Sequence, residues 1–456
     1  MRVLIITYHF PPDAEVGAVR PYQFARLLPQ HGIEPWILTV QTEFIERREK
    51  QVAIDVPAEH IIRTPVGQTR RVRAIRFASH LKNSLKNSLR PQRAQITATP
   101  APTAPASTAP APLTDVSTEG FLRSTPFLRL LLAWLWFPDP MAGWYAPALK
   151  AGDELLGREK FDAIFSTSPP RVVHSIALEL ARRHNLPWIM DLRDPWYKDV
   201  DELNSKLLDS AYERLFLPCL SHADKIVLNT NRLLDDVVQH YPRAKDKSIA
   251  IPNGCRINAD EKPPETSQKP KQFSIGHYGS VYSKRDPGPF LRGLKEWLAQ
   301  KKAAGESVPL QMRFIGPEFG TVPEIVAELG LESIIQLCPP VPREELSALM
   351  DEDYVLLLLA NKQPLQIPGK LYEYLAARRR ILASADEAGA TADLLKEAQG
   401  AATAYSEQQV IEALDQFWQE FKDGQAATIS NEKLLQECSY ASRTARLAEE
   451  LLALRH

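Results

Sequence analysis

The chain has 456 residues, with 55 Lys+Arg against 56 Asp+Glu and a formal net charge of −1. A single core stops growing at about 250–300 residues, so two domains are expected; 44% hydrophobic and 24% charged residues are globular values that argue against global disorder, a fibre or a bulk nucleic-acid binder. Cys219, Cys255, Cys338 and Cys438 lie far apart without CxxC spacing or a nearby His, which argues against a disulfide framework or structural zinc and fits a reducing compartment.

In chain order, the opening MRVLIITYHFPP carries a short apolar run at 3–6, stopped by Thr7, His9 and two prolines. This reads as a buried first strand entering a loop, without the long apolar stretch and cleavage site of a signal peptide. No window holds about 18 consecutive apolar residues, so no spanning helix is expected. A helical pattern at 19–28 ends at His31-Gly32, and a strand follows at 35–40. The alternation resumes with strands at 162–167, 188–191, 225–229 and 249–251, separated by helices at 172–184 and 232–240. A polar, Pro-containing stretch at 260–271 precedes a second series. Its strands fall at 274–278, 312–315, 334–337, 354–359 and 381–383, with helices at 289–301, 370–377 and through the remainder. Such alternation implies an α/β protein of two doubly wound, parallel-sheet domains facing each other across a cleft.

Residues 61–120 break this rhythm. Between 61 and 114 there are nine Lys/Arg and no Asp or Glu, and 99–112 reads TPAPTAPASTAPAP. The Pro/Ala-rich core at 94–118 cannot bury enough surface to offset ordering entropy and is expected to be disordered. Val72, Ile75, Ala78, Leu81, Leu85 and Leu89 fall near one helical face among Arg and Lys, and FLRSTPFLRLLLAWLWF at 121–137 is strongly apolar. The pair reads either as a membrane-surface contact or as a core helix with a solvated basic neighbour.

The chain has no GxxxxGK[ST], no GxGxxG after a strand, no HExxH and no GxSxG. Asp199-Val-Asp201 and Asp351-Glu-Asp353 lie at the starts of elements and read as first-turn or solvated carboxylates rather than metal ligands. Ligands of open α/β sheets bind beyond the carboxyl ends of strands, so the strand-to-helix loops carry the information. After the first strand, Gly17 lets backbone N–H groups approach an anion at a helix start. Ser166-Thr-Ser168-Pro-Pro170 places hydroxyls at another helix start, open equally to capping. Asp191, Arg193 and Asp194 crowd three charges behind a strand, as cleft groups or as a structural ion pair. In the second half, Gly279-Ser280 leads to Lys284 and Arg285, and PGKLYEYLA at 368–376 puts Lys370 and Glu373 on one helical face. A cation and a carboxylate so placed suit a diphosphate and a ribose, or form an ordinary surface pair.

Six fragments in order give these loops a context: LIITYHFPPDAEVGAVRPYQFARLL at 4–28, FDAIFSTSPPRVVHSIALELARRHNLPWIMDLRDPW at 161–196, ADKIVLNT at 223–230, IPNG at 251–254, GHYGSVYSKRDP at 276–287 and PGKLYEYLAARRRIL at 368–382. Together they resemble the GT-B glycosyltransferases, in particular the family-4-like bacterial enzymes of surface polysaccharide and glycolipid synthesis. The resemblance implies two Rossmann-like domains: 1–252, with the insertion, for a glycan or lipid-linked acceptor, and 253–430 for a nucleotide-sugar donor. Residues 431–456 would return to the first domain. It implies sugar transfer to a hydroxyl with retained configuration, without metal or cofactor. The cytoplasm is implied as its location, with the inner face of the membrane, an anionic surface, as a candidate partner. Arg285 or Lys284 and Lys370, with Leu371 beside it, match the diphosphate cations. Gly279 and Ser280 match the donor loop, Gly17 the glycine beneath the phosphates, and Glu373 the second Glu of a Glu-x7-Glu motif. The first Glu is replaced by Leu365, and the Gly after the helix by Arg378. Asp194, Arg193 and His174 are the acceptor-side catalytic candidates. The rival readings are a GT-B epimerase or phosphorylase, whose extra acids, histidines or cofactor lysine are not evident, and an inert donor-binding scaffold, suggested by the missing Glu.

Overall fold

The computed structural model describes residues 1–45, 47–48, 53–67, 137–196, 205–255, 272–282, 285–427 and 431–454. The expected basic helix at 71–89, the Pro/Ala tract and the apolar run at 121–136 lie outside the described residues, as do Asp199, Asp201 and Lys284. The chain divides into two compact units, Met1–Ile226 with Leu451–His456, and Val227–Glu450.

The first sheet has seven strands: β1 (Arg2–Ile6), β2 (Glu34–Val40), β3 (Ile61–Thr64), β4 (Ala163–Ser168), β5 (Trp188–Leu192), β6 (Lys225–Leu228) and β7 (Ser248–Ala250). Their order is β3-β2-β1-β4-β5-β6-β7, the doubly wound arrangement in which the direction of winding reverses between the parallel strands β1 and β4. Between them come α1 (Val19–Leu27), α2 (Tyr145–Arg158), α3 (Val172–His184), α4 (Lys206–His222) and α5 (Asn231–His240). The Val3–Ile6 run is buried throughout, as a parallel strand covered on both faces must be. The rhythm does not break at position 61 as the sequence suggested. Ile61 and Ile62 are β-branched and pair in parallel with Ile37 and Leu38, making an edge strand before the described chain pauses at 67.

A buried ion pair ties α1 to the sheet. Arg20 and Asp191 are 1% and 0% exposed at the side chain. Arg20 Nε and Nη2 donate to the two oxygens of Asp191 at 2.9 and 2.8 Å, and Thr167 Oγ1 adds a third bond at 2.6 Å. The bidentate fork and the hydroxyl saturate a carboxylate that would otherwise be costly to bury.

The second sheet, in the order β10-β9-β8-β11-β12-β13, repeats the same winding with β8 (Ser274–Tyr278), β9 (Gln311–Ile315), β10 (Ile335–Cys338), β11 (Val355–Ala360), β12 (Arg380–Ala385) and β13 (Ala401–Ala404). Its helices are α6 (Gly288–Ala303), α7 (Val322–Leu329), α8 (Arg343–Glu352), α9 (Gly369–Ala376), α10 (Ala390–Leu395), α11 (Glu407–Lys422), α12 (Glu432–Cys438) and α13 (Tyr440–Ala453). The sequence assigned only helices after 383; β13 escaped notice because Ala401-Ala-Thr-Ala404 has no strand signature and is held by pairing with β12. The solvated reading of Asp353 is also corrected. Its side chain is fully buried, accepts from Tyr278 Oη at 2.6 Å and pairs with Arg313 at 3.0 Å. Gly276 makes the room: a Cβ there would overlap Asp353. Burial works against the charge of Arg313, yet Asp353 holds its pKa above the ordinary arginine range. No helix among the described residues is long and apolar enough to cross a membrane.

Breaking the Arg20–Asp191 pair should leave a buried charge without its counter-charge. Arg20→Ala is expected to lose about 3–5 kcal/mol of stability, read from urea denaturation of the two proteins.

Candidate functional site

The two reversals, between β1 and β4 and between β8 and β11, open crevices at the strands' carboxyl ends. Each is described within its own unit.

In the second unit, β8 runs into Gly279-Ser280. Gly279 has φ +118°, a conformation L side chains rarely adopt, and its N–H donates to Ile315 O at 2.6 Å. A Cβ on Gly279 would run into Cε and Nζ of Lys370, so the lysine's ammonium end lies directly over this backbone. Gly316 is needed beneath it, since a Cβ there would meet Gly279 C and O at 2.6 and 2.5 Å. Arg285 is held from two sides: Nη1 donates to Ser280 O at 3.4 Å, and its Cζ sits 4.5 Å from the Tyr282 ring centroid.

Lys370 and Leu371 open α9, and no side chain caps this helix. Lys370 thus sits in the first turn, at the positive end of the helix dipole. Leu371 is buried and packs α9 onto the sheet, whereas Glu373, one turn on, is exposed. The helix is fixed to the sheet by Tyr374, whose Oη accepts Tyr278 N–H at 3.0 Å and donates to Leu357 O at 3.3 Å. Leu365 occupies the turn before α9, so no carboxylate stands at that position. Arg378 takes φ +55° just after the helix, the left-handed turn that a glycine would adopt without strain, and pairs with Glu432. His277 lies wholly buried behind the cations. Its Nδ1 faces Leu357 O at 2.9 Å, and burial, aided by the charges of Lys370 and Arg285, pushes its pKa down to about 3. The structure thus brings Gly279, Ser280, Arg285 and Lys370 together; Lys284 lies outside the described residues.

In the first unit, the β1 loop folds back so that Gly17 packs on the His9 ring, a Cβ there falling 3.2 Å from His9 Cδ2. His9 Nδ1 is 2.7 Å from Asp13 Oδ2. Arg193 reaches across from the end of β5 and donates to three backbone oxygens, those of Gly17, Ser168 and Pro169. It therefore clamps the β1 and β4 loops to each other. Asp194 is half-buried next to it. His174 is fully buried within the unit, with Nδ1 2.8 Å from Ser166 Oγ, and its ring lies 5.5 Å from that of Trp196. Burial, then the nearby Arg193 charge, pushes it down to about 3. Its geometry is that of a packed histidine. Asp139 satisfies the N–H of Val172 at the start of α3, at 2.9 Å, so the capping role open to Ser166–Ser168 is filled from elsewhere. Neither Asp139 nor Tyr374 was singled out by the sequence, because both act through the backbone of distant segments.

Two doubly wound parallel sheets make up the fold of the GT-B glycosyltransferases. The chain belongs to the glycosyl transferase 4-like family, whose domain model matches residues 17–254, just over half its length. No curated protein matches it. Among solved structures it is similar to sucrose-phosphate synthase from Thermosynechococcus elongatus, at 12% identity and a TM-score of 0.60 over 99% of this chain and 98% of that one. It is similar also to Anabaena HepE in complex with UDP and glucose, at 13% identity and a TM-score of 0.59 over 99% and 100%. The lipopolysaccharide outer core galactosyltransferase WaaB matches at 11% identity and a TM-score of 0.51 over 99% of each chain. At such identities the likeness is one of fold.

The two buried imidazoles carry a pH consequence. Unfolded histidine binds its proton near pH 6.5, whereas His174 and His277 in the fold do so only near about 3. Their contribution to stability is complete above pH 6.5 and is lost as the pH falls toward 3, by about 1.4 kcal/mol per imidazole and pH unit. Urea midpoints between pH 7.5 and 5 should fall accordingly, and the slope should be shallower in His277→Gln.

Proposed function

We propose that the chain moves a hexose from a nucleotide diphosphate sugar to a hydroxyl acceptor, with retained configuration and without metal or cofactor. The donor is assigned to the second unit and the acceptor, a glycan or a lipid-linked sugar, mainly to the first. The observation that carries this reading is the Lys370 ammonium lying over the Gly279 turn at the β8–β11 reversal. A diphosphate seated on that turn would meet Lys370, Arg285 and the uncapped start of α9. As the bond to the sugar breaks, negative charge grows on the leaving diphosphate, and fixed cations at that point lower the barrier. These charges replace a metal in the proposed reaction. Glu373, exposed one turn along α9, would accept hydroxyl hydrogen bonds from a ribose in this reading. HepE, similar in fold, is known in complex with UDP-glucose, which supports a donor of this chemical class. Retention follows from the resemblance to family-4-like enzymes, as does a role in surface polysaccharide or glycolipid synthesis.

A nucleotide at about a hundred times its Kd adds about 2.7 kcal/mol of stability. A thermal-shift panel of nucleotide sugars should therefore identify the donor. With that donor, Lys370→Ala is expected to lose about 2–3 kcal/mol in kcat/KM, the scale of a charged hydrogen bond to the reacting group. Glu373→Gln should weaken nucleotide binding with the fold intact. Wild-type turnover in both variants would refute the assignment.

A membrane-surface role is proposed on the charge pattern of 61–114. Of its nine cations, Arg63 belongs to β3 and donates to Val40 O, which leaves eight from 70 to 93. Each would gain about 1 kcal/mol close to an anionic leaflet. Full-length protein should sediment with anionic but not neutral liposomes, and a deletion of 71–114 should lose that binding.

A further inference from the structure

The second sheet is paired unevenly at its reversal point. β8 pairs with β9 along its whole length, Ser274 to Tyr278, and β11 pairs with β12 from Val355 to Ala360. Between β8 and β11 the ladder holds only Ile275–Val355 and Gly276–Leu356. Carried one step further, a parallel ladder in this register would send Tyr278 N–H to Leu357 O. The pairing stops short of that bond. Tyr278 N–H donates to Tyr374 Oη at 3.0 Å, and the same hydroxyl donates to Leu357 O at 3.3 Å. A side chain from α9 thus stands in the ladder where the two strands part. His277 Nδ1 lies 2.9 Å from the same carbonyl, whose oxygen can only accept, so Leu357 O receives two side chains in place of the backbone. Tyr374 is 0% exposed, and burial above all lifts its hydroxyl above the ordinary tyrosine range, so Oη keeps the proton it donates.

We propose that Tyr374 is a positioning residue for the donor: its hydroxyl, inserted between β8 and β11, holds the Gly279 turn in register with Lys370 so that both meet one diphosphate. This rests on the sugar-transfer reading above. The linkage is short at both ends. Tyr278, whose N–H the hydroxyl holds, is the residue before Gly279, and Tyr374 lies one helical turn from Lys370 on the same face of α9. On its other side the turn is held by Ile315 O, which accepts Gly279 N–H at 2.6 Å. Lys370 Cε and Nζ already fill the place a Gly279 Cβ would take, so a small shift of the turn against the helix changes how the ammonium lies over this backbone. Without the hydroxyl, Tyr278 N–H must close onto Leu357 O, drawing the turn toward β11, or stay buried without a partner. Either way the turn and the lysine lose their common anchor.

The test measures binding of the nucleotide sugar selected by thermal shift to the full-length chain, by titration calorimetry. Tyr374→Phe, which keeps the ring and removes only the hydroxyl, should weaken that binding about tenfold, the scale of one hydrogen bond. Combined with Lys370→Ala, it should cost little more than Lys370→Ala alone, because the hydroxyl acts through the lysine. A merely structural hydroxyl would leave the affinity of the folded protein unchanged or add its effect independently. Tyr354→Phe is the comparison: it removes a tyrosine hydroxyl 3.4 Å from Gln425 O, at the amino end of β11. That variant should leave nucleotide affinity within about threefold of wild type. Tyr374→Met, which fills the space with a flexible apolar chain, repeats the measurement should the phenylalanine variant fail to fold. Affinity within about threefold of wild type in Tyr374→Phe or its Met counterpart, an equal loss in Tyr354→Phe, or full additivity with Lys370→Ala would overturn the proposal alone. A wild-type chain that bound none of the nucleotides would overturn the sugar-transfer reading and this role of Tyr374 with it.

Discussion

A parallel strand buried on both faces has nowhere to put a working polar group except at its ends. Val3–Ile6 and Val355–Leu359 are 0% exposed, so these strands contribute apolar surface and backbone bonds alone. Chemistry is displaced into the loops at their carboxyl ends, and the reversal of winding beside β1 and β8 leaves those loops uncrowded. The cations over the Gly279 turn gather at the reversal of the second winding for this one reason.

Burial sorts the charges of this protein into two kinds. Arg20 with Asp191 and Arg313 with Asp353 involve carboxylates that are fully enclosed and bonded on both oxygens, and both pairs tie a sheet to its surroundings. Such pairs contribute little net stability relative to an apolar core, but losing one partner is severe. Lys370 and Arg285 are only half-buried and are supported by backbone, by an aromatic ring and by a helix start. Arg193 belongs to neither kind, since its guanidinium holds three loop carbonyls and so shapes the β1 loop around His9.

The solved relatives share about an eighth of their residues with this chain and yet cover almost all of it. What the likeness shows at that distance is the fold. A backbone that must pass within contact of another at Gly279 and Gly316 tolerates no Cβ at either position, whatever the rest of the loop becomes.

The α/β class, the two parallel windings and nearly every core strand were legible in the sequence, because hydrophobic runs and glycine turns are local signals. β13 and β3 were not: Ala401–Ala404 has no intrinsic preference for a strand, and Ile61–Thr64 stood at the edge of a basic segment whose composition dominated the reading. Sequence placed Arg193 and Asp194 together as charges but could not tell a clamp from a catalyst, and it could not see that His174 is walled in by Ser166 and Trp196. The same holds for Asp353, read as solvated and found bonded to Tyr278 and Arg313 from other strands. Local pattern determines where strands, turns and helices form, since each depends on neighbours a few residues away. Whether an ionisable side chain meets water, a carbonyl or an opposite charge depends on segments up to about 180 residues distant, and only the folded chain brings them into contact.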